Sequence, residues 1–549
     1  MKTAKIILIF IFLFLVKSAF CDTGILIPIN IKDEPDPNIL SLYNMEVNIS
    51  IDNQFASVQV LQIFENHTGR DIEGQYLFVI PEKSAISDFA VWDNGIRIPG
   101  VILERRRVRE LYEEITRVRI DPGLLEQVSE EIINVFSTKV FPIPAYGTKR
   151  IELTYTQELD VTDCRSYFCF PLKPTKYQIQ NASNFKITFS IKTQFPMKDF
   201  TIHSKDIKPT FTLNTPNQIK GNFAAKDFAL KEDFSFEYLL DIQDFFLNFL
   251  TYRKVDLSDE PVPLFTDLKH RDEEGYFQAQ AIFNIKKKVV SENLSPRTIF
   301  LLLDTSLSMR WDKLDRAYEA IEHFLRNLPP KDKFQLILFN DEINSLPILP
   351  VTAQNVENAL EFIRRNYLLS GTDIKKALSE AITLANKTPG QRYIVVITDG
   401  HPTLGEVSYK LLNNHLIKIN QERVPLFIFG IGNDTNVPLL EELVKPNDGY
   451  FVWVNETEDL GFKLRTFLSK IGEGMIKGIG FIFESLKNIR DVYPKDSFKA
   501  FDGSLVSIVG RYAKPTKTSI KINGEYRGKA FSYLKKVILP EKSLFHPHL

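Results

Sequence analysis

Between residues 47 and 64 apolar and polar residues alternate, V-N-I-S-I-D-N-Q-F-A-S-V-Q-V-L-Q-I-F. A period of two puts one side of an extended chain in a core and the other in water. The run therefore predicts two strands around a turn at Asp52 and Asn53. Residues 135–140, 150–155, 185–191 and 276–283 alternate in the same way and predict further strands. One stretch breaks the pattern. Val108, Leu111, Tyr112, Ile115 and Val118 recur at helical spacing and predict a helix over 104–119. Residues 241–252, D-I-Q-D-F-F-L-N-F-L-T-Y, fit either strand or helix.

The character changes at Thr298. T-I-F-L-L-L-D is an unbroken apolar run that ends in an acid, and a helical stripe comes after it: Leu314, Ala317, Tyr318, Ile321, Phe324, Leu325 and Leu328. The alternation of types continues with strands predicted at 334–339, 393–398, 425–431 and 450–454. Helices are predicted at 356–365, 374–385, 409–419, 437–444 and up to about 471. Strands without polar alternation, separated by amphipathic helices, mean a parallel sheet covered on both faces. Such a doubly wound sheet binds ligands at the carboxyl ends of its strands. After Gly474 strands return at 504–512 and 518–522, and the hairpin signal Asn523-Gly524 comes directly after them.

The whole reads as a multi-domain chain. Residues 25–159 form a β-rich domain with one helix. Residues 160–296 and 474–541 are β-rich segments that pair as a β-sandwich, and the doubly wound α/β domain, 297–473, is inserted between them. A length of 549 residues agrees with several domains, and 44% apolar with 25% charged residues is a globular balance. The formal net charge of -1 gives no global attraction to nucleic acid or to an anionic membrane, so any electrostatic site must be local.

Residues 1–21 read as a cleaved secretory signal peptide. Lys2 and Lys5 precede the apolar run 6–16, and Ala19 and Cys21 suit a cleavage site after Cys21. A lipid anchor on Cys21 is the alternative. The run is shorter than the ~20 residues that cross a bilayer, so no membrane span is expected and the mature chain is expected outside the cell. There, Cys164 and Cys169 are expected to close a local disulfide loop, with two buried free thiols as the alternative. Glycosylation sequons occur at Asn48, Asn66, Asn181, Asn293, Asn386, Asn433 and Asn455. Arg105, Arg106, Arg107, Arg109, Arg117 and Arg119 could hold an anionic glycan. Glu104, Glu110, Glu113 and Glu114 lie among them, which favours an ordinary solvated helix face.

At the end of the first parallel strand stands D-T-S-L-S, with Asp304, Ser306 and Ser308 at spacing two. L-S-G-T-D brings Thr372 to a loop before a helix, and V-I-T-D-G brings Asp399 to the end of a later strand. A few carboxylates with neutral hydroxyls offer hard oxygen donors that suit magnesium first, with manganese and calcium as alternatives. Asp373 and His401, beside these positions, read as loop polar residues.

D-T-S-L-S-M, S-G-T-D and I-T-D-G in this order resemble the metal-ion-dependent adhesion site of von Willebrand A domains. By that resemblance Asp304, Ser306, Ser308, Thr372 and Asp399 would be the coordinating set. Leu307 departs from the glycine that many members carry. A second resemblance lies upstream. R-E-L-Y-E-E-I, G-L-L-E-Q and V-F-S-T-K-V-F-P-I-P-A-Y-G-T-K-R-I-E-L-T-Y look like the vault protein inter-alpha-trypsin domain, which would be residues 25–159. S-L-V-S-I-V-G-R-Y is similar to the segment C-terminal to the A domain in inter-alpha-trypsin inhibitor heavy chains. That family implies an extracellular protein that associates with a small protease inhibitor and is transferred onto hyaluronan through a C-terminal aspartate. Here F-H-P-H-L has His546 in the aspartate's place, so the covalent linkage is not carried over.

The expected function is metal-dependent adhesion to an extracellular protein or acidic glycan, hyaluronan among the candidates. The alternative is a non-catalytic carrier subunit of a protease-inhibitor complex. No G-x-S-x-G, Walker or H-E-x-x-H motif supports an enzyme.

Overall fold

The computed structural model describes residues 24–29, 34–81, 83–93, 95–103, 124–127, 135–173, 179–253, 274–285, 296–310, 312–365, 371–432, 434–454, 460–471, 475–484, 486–495, 498–526 and 528–543. The helix expected at 104–119 with its arginine cluster, the signal segment, and Asn293, Asn433, Asn455 and His546 lie outside these residues.

The described residues of the N-terminal part are β-strands and the turns between them. Strands β1 (Leu40–Asp52) and β2 (Phe55–Asn66) form the hairpin expected from their alternation. Asn53 makes the turn in the left-handed region, where Asn is tolerated. They join β3 (Thr148–Glu158) in an eight-stranded sheet. A four-stranded sheet contains β4 (Arg165–Phe170). Strand β5 (Asn181–Lys192) runs parallel to β1 in the large sheet, and β6 (Phe234–Leu240) pairs with β4. One core fills the space between the sheets, with Val47, Val60, Leu153, Phe168, Ile187 and Phe236 in it. This core runs unbroken past residues 159 and 160, where the sequence pattern places a boundary.

The ambiguous stretch 241–252 is strand from Phe245 onward: β7 is Phe245–Tyr252, and β8 is Gly275–Phe283. The α/β unit then begins. Its parallel strands are β9 (Arg297–Asp304), β10 (Lys333–Phe339), β11 (Gln391–Thr398), β12 (Leu426–Ile431) and β13 (Tyr450–Val454), ordered β10-β9-β11-β12-β13. The helices are α1 (Asp312–Arg326), α2 (Ala353–Arg364), α3 (Ile374–Lys387), α4 (Tyr409–Ile419), α5 (Val437–Val444) and α6 (Leu460–Lys470). β9 explains the unbroken apolar run. Ile299, Leu301 and Leu303 face the layer of α1, α2 and α6, while Phe300 and Leu302 face that of α3, α4 and α5.

The chain leaves the insert at β14 (Met475–Phe483) and continues through β15 (Leu505–Tyr512), β16 (Thr516–Tyr526) and β17 (Lys529–Leu539). β15 pairs with β8 across the insertion, and β14, β16 and β17 share a second sheet. The two sheets bury a common core of Phe277, Phe283, Ile476, Ile508, Ile520 and Ile522. This is the β-sandwich that holds the insert. At its two junctions Arg297 binds Asp332 at 2.6 Å and the carbonyl of Ile471 at 2.6 Å, so entry and exit are clamped together.

Three expectations are corrected. The hairpin reverses between Tyr526 and Lys529, not at Asn523-Gly524, which lies inside β16. Gly524 is there because a Cβ would come 2.5 Å from the ring of Phe531. Cys164 and Cys169 are thiols with no disulfide between them. Cys169 lies on β4 and Cys164 just before it, and five residues of strand span about 16 Å, far beyond the ~4–7 Å between bridged Cα atoms. Asn66 is 1% exposed and donates to the carbonyls of Arg70, Ile143 and Pro144, so its amide is closed to glycosylation in the fold. Asn48 and Asn181 are exposed, whereas Asn386 is half-buried and donates to Ile419.

Candidate metal centre

The order β10-β9-β11 sends successive connections to opposite sides of β9. The crevice outside the carboxyl ends of β9 and β11 is therefore the topological switch point, where doubly wound sheets bind ligands. Asp304 ends β9, and Asp399 comes immediately after β11. Both side chains are fully buried.

Asp304 is held at both oxygens. Its Oδ1 accepts the Ser306 N–H at 3.0 Å and its Oδ2 accepts the Thr398 hydroxyl at 2.6 Å. The tight turn after β9 brings the Ser306 and Ser308 hydroxyls within 3.0 Å of each other. Ser306 is buried and Ser308 half-buried. Thr372 reaches the same edge through a relay. Asp373 N–H donates to the Asn340 carbonyl at 2.9 Å, and the Asn340 amide donates to Thr305 at 3.2 Å. A second loop fixes Thr372 from outside, with its N–H on the Thr403 hydroxyl and its carbonyl accepting from Thr403 and Leu404. Asp373 caps α3 by accepting the Lys376 N–H, and His401 contacts the Asp434 carbonyl through Nε2.

The charge is unbalanced. Burial pushes the Asp304 carboxyl up to about 6, and the negative charge of Asp399 adds to this against the hydrogen bonds from Thr398 and Ser306. The cationic partner of Asp399 is Lys313 of α1, 2.9 Å away, which also binds Asp434 at 2.7 Å. Burial would lower the Lys313 ammonium, but the two carboxylates outweigh it and hold it above its ordinary value. Two buried carboxylates with three hydroxyls fit a hard divalent cation by donor chemistry and by charge. Among the described residues no three His, Cys, Asp or Glu side chains gather to hold a metal. A hydroxyl-rich set is a different kind of site.

Sequence motifs alone miss Lys313, Thr398, Asn340 and Asp434. Thr398 stands inside the quoted I-T-D-G and could have been read as a donor one position before Asp399. Lys313 carries no such signal, since a lysine in the first turn of a helix looks like an ordinary solvated residue.

Two families match the chain: the Vault protein inter-alpha-trypsin domain over residues 42–155 and the von Willebrand factor type A domain over residues 298–466. Among curated proteins, the chain is 23% identical to pig (Sus scrofa) inter-alpha-trypsin inhibitor heavy chain H4, over 89% of this chain and 52% of that protein. It is 22% identical to inter alpha-trypsin inhibitor, heavy chain 4 of Mus musculus, over 89% of this chain and 51% of the mouse protein. The chain thus spans about half the length of these relatives. A solved von Willebrand factor type A protein from Catenulispora acidiphila aligns loosely, at 13% identity and a TM-score of 0.34, over 54% of this chain and 74% of its own.

Proposed function

We propose that this inter-alpha-trypsin inhibitor heavy-chain-like protein works outside the cell as a non-catalytic binding protein, through a divalent cation held at the switch point of its A domain. Asp304, Ser306, Ser308, Thr372 and Asp399 would hold the ion, magnesium by preference and manganese or calcium as alternatives. The ion supplies a coordination position for a carboxylate of the partner, an acidic protein side chain or a glycan acid. The observation that carries this reading is the pair Asp304 and Asp399, buried at adjacent strand ends and short of positive charge.

The chain's own residues do the positioning. Thr398 and the Ser306 N–H fix the Asp304 carboxylate, and the Asn340 relay fixes the loop of Thr372.

The test is binding of the chain to an array of matrix proteins and glycans, hyaluronan included, in magnesium and again in EDTA, with Asp304→Ala alongside. Binding lost in EDTA and in the variant supports the reading; binding indifferent to both overturns it. The second reading, a carrier subunit of a protease-inhibitor complex, is favoured by the names of the relatives and predicts co-purification with a small inhibitor.

A further inference from the structure

The last sheet has an outer face that breaks the rule its inner face obeys. On β16 and β17, Ile520, Ile522, Val537 and Leu539 point into the core. The outward positions of a one-side-buried sheet are normally polar. Here they include Leu534 and Ile538, each 60% exposed, and Ile482 of β14 is 48% exposed beside them. Pairing places Ile482, Lys521 and Leu534 side by side across three strands. Further along, Lys536 lies opposite Ser519, and Ile538 opposite Lys517.

Adjacent strands are about 4.8 Å apart and same-face residues about 6.8 Å apart along a strand. Three lysines and three large aliphatic side chains therefore interleave over a patch roughly 14 Å long and 10 Å wide. Among the described residues no ion pair joins Lys517, Lys521 or Lys536 to a carboxylate; two acids border them, Glu525 at the far end of β16 and the exposed Glu484, whose N–H donates to the Ser519 carbonyl just beyond β14.

We propose that this face is a docking surface for an anionic lipid bilayer. Both halves of the patch are used by such a partner. Lysines gain from the negative surface potential, and exposed aliphatic side chains gain by entering the headgroup boundary. A second copy of the chain is disfavoured as the occupant, because it would bring the same three positive charges. A sulfated polysaccharide would use the lysines and leave Ile482, Leu534 and Ile538 without an apolar partner. The net charge of the chain, -1, means that the attraction is local to this face. No helix among the described residues is long and apolar enough to cross a membrane, and the proposed contact is made by a sheet face.

The experiment is co-sedimentation of the full chain with phosphatidylcholine vesicles, with and without phosphatidylserine, in EDTA throughout. Working in EDTA separates this proposal from the metal site, so either can fail alone. Binding to the phosphatidylserine vesicles only, weakening as salt rises, is expected. Each of Lys517→Ala, Lys521→Ala and Lys536→Ala should reduce it about fivefold. The triple variant Ile482→Ser, Leu534→Ser, Ile538→Ser should also reduce it, with the charge unchanged; all six positions are exposed, so the fold is kept. No binding, equal binding to neutral vesicles, or binding untouched by the substitutions overturns the proposal. So does retention on heparin that needs the lysines and ignores the aliphatic residues, which would reassign the face to a polysaccharide.

Discussion

The ammonium group of Lys313 lies 2.9 Å from Asp399 and 2.7 Å from Asp434, so one lysine joins the edge of the proposed cation site to the loop after β12. Lys313→Met leaves Asp399 buried beside Asp304 without its counter-charge. Breaking a buried pair from one side costs about 3 kcal/mol, and the variant should lose that much in urea unfolding with EDTA present. Magnesium then meets no rival for Asp399 and should raise the melting temperature more than it does for the wild type. A response no larger than the wild type's would sink the idea that lysine and ion share this carboxylate.

Asp304→Asn keeps the size of the side chain and removes its charge. Magnesium should no longer shift the melting temperature. The metal-free variant should melt no lower than the wild type, because a carboxylate that burial disfavours is gone. A magnesium shift of wild-type size in this variant would place the ion elsewhere.

Asp160 gives a pH dependence. Burial would raise its carboxyl, but Lys83 at 2.9 Å and Lys463 of α6 at 3.9 Å overcome this and hold it at about 2, below the ordinary 3.8. The folded value lies below the unfolded one. Its contribution is therefore full above about pH 3.8 and lost as pH falls toward 2. The side chain is 36% exposed, so solvent screening keeps the effect modest. Comparing urea midpoints of Asp160→Asn and wild type against pH should show their gap closing on acidification; a gap that widens would contradict the assignment.

The cysteines give a chemical test. Denatured without reductant, the chain should expose Cys164 and Cys169 as two reactive thiols to an alkylating reagent. A mass showing both unmodified would restore the disulfide reading and overturn the strand placement of Cys169.

Gly503 sits where the sandwich meets the N-terminal core. Its N–H donates to Phe283, and its carbonyl accepts from Cys164. Its φ is +77°, and a Cβ there would come 2.6 Å from the Cα of Asp163. Gly503→Val should destabilise the fold by at least about 1–3 kcal/mol, the range of a strained backbone residue, before any clash is counted. A melting temperature equal to the wild type's would show that this junction yields.

The α/β unit was readable in the sequence because a strand covered on both faces leaves an unbroken apolar run. Tyr409–Ile419, Val437–Val444 and Tyr450–Val454 fall where periodicity puts them. The proposed ligands stood in local motifs, Asp304 and Asp399 at strand ends and Thr372 in the loop before α3, and the sheet order brings β9 and β11 side by side. Lys313 was not legible, because its partners Asp399 and Asp434 come from distant loops. Gly524 misled for the opposite reason: a turn-like dipeptide serves a close ring contact that only packing reveals. Two cysteines five apart suggested a short loop, until the strand drew them out straight.

The clamp of Arg297 onto Asp332 and Ile471 has a mechanical meaning. A pull applied to the two ends of the chain passes through the zipped strands β8 and β15 and across that clamp. The inserted domain begins and ends at that one clamp, so a pull that leaves the clamp and the paired strands intact is not expected to reach the far edge of its sheet, where the proposed cation site lies.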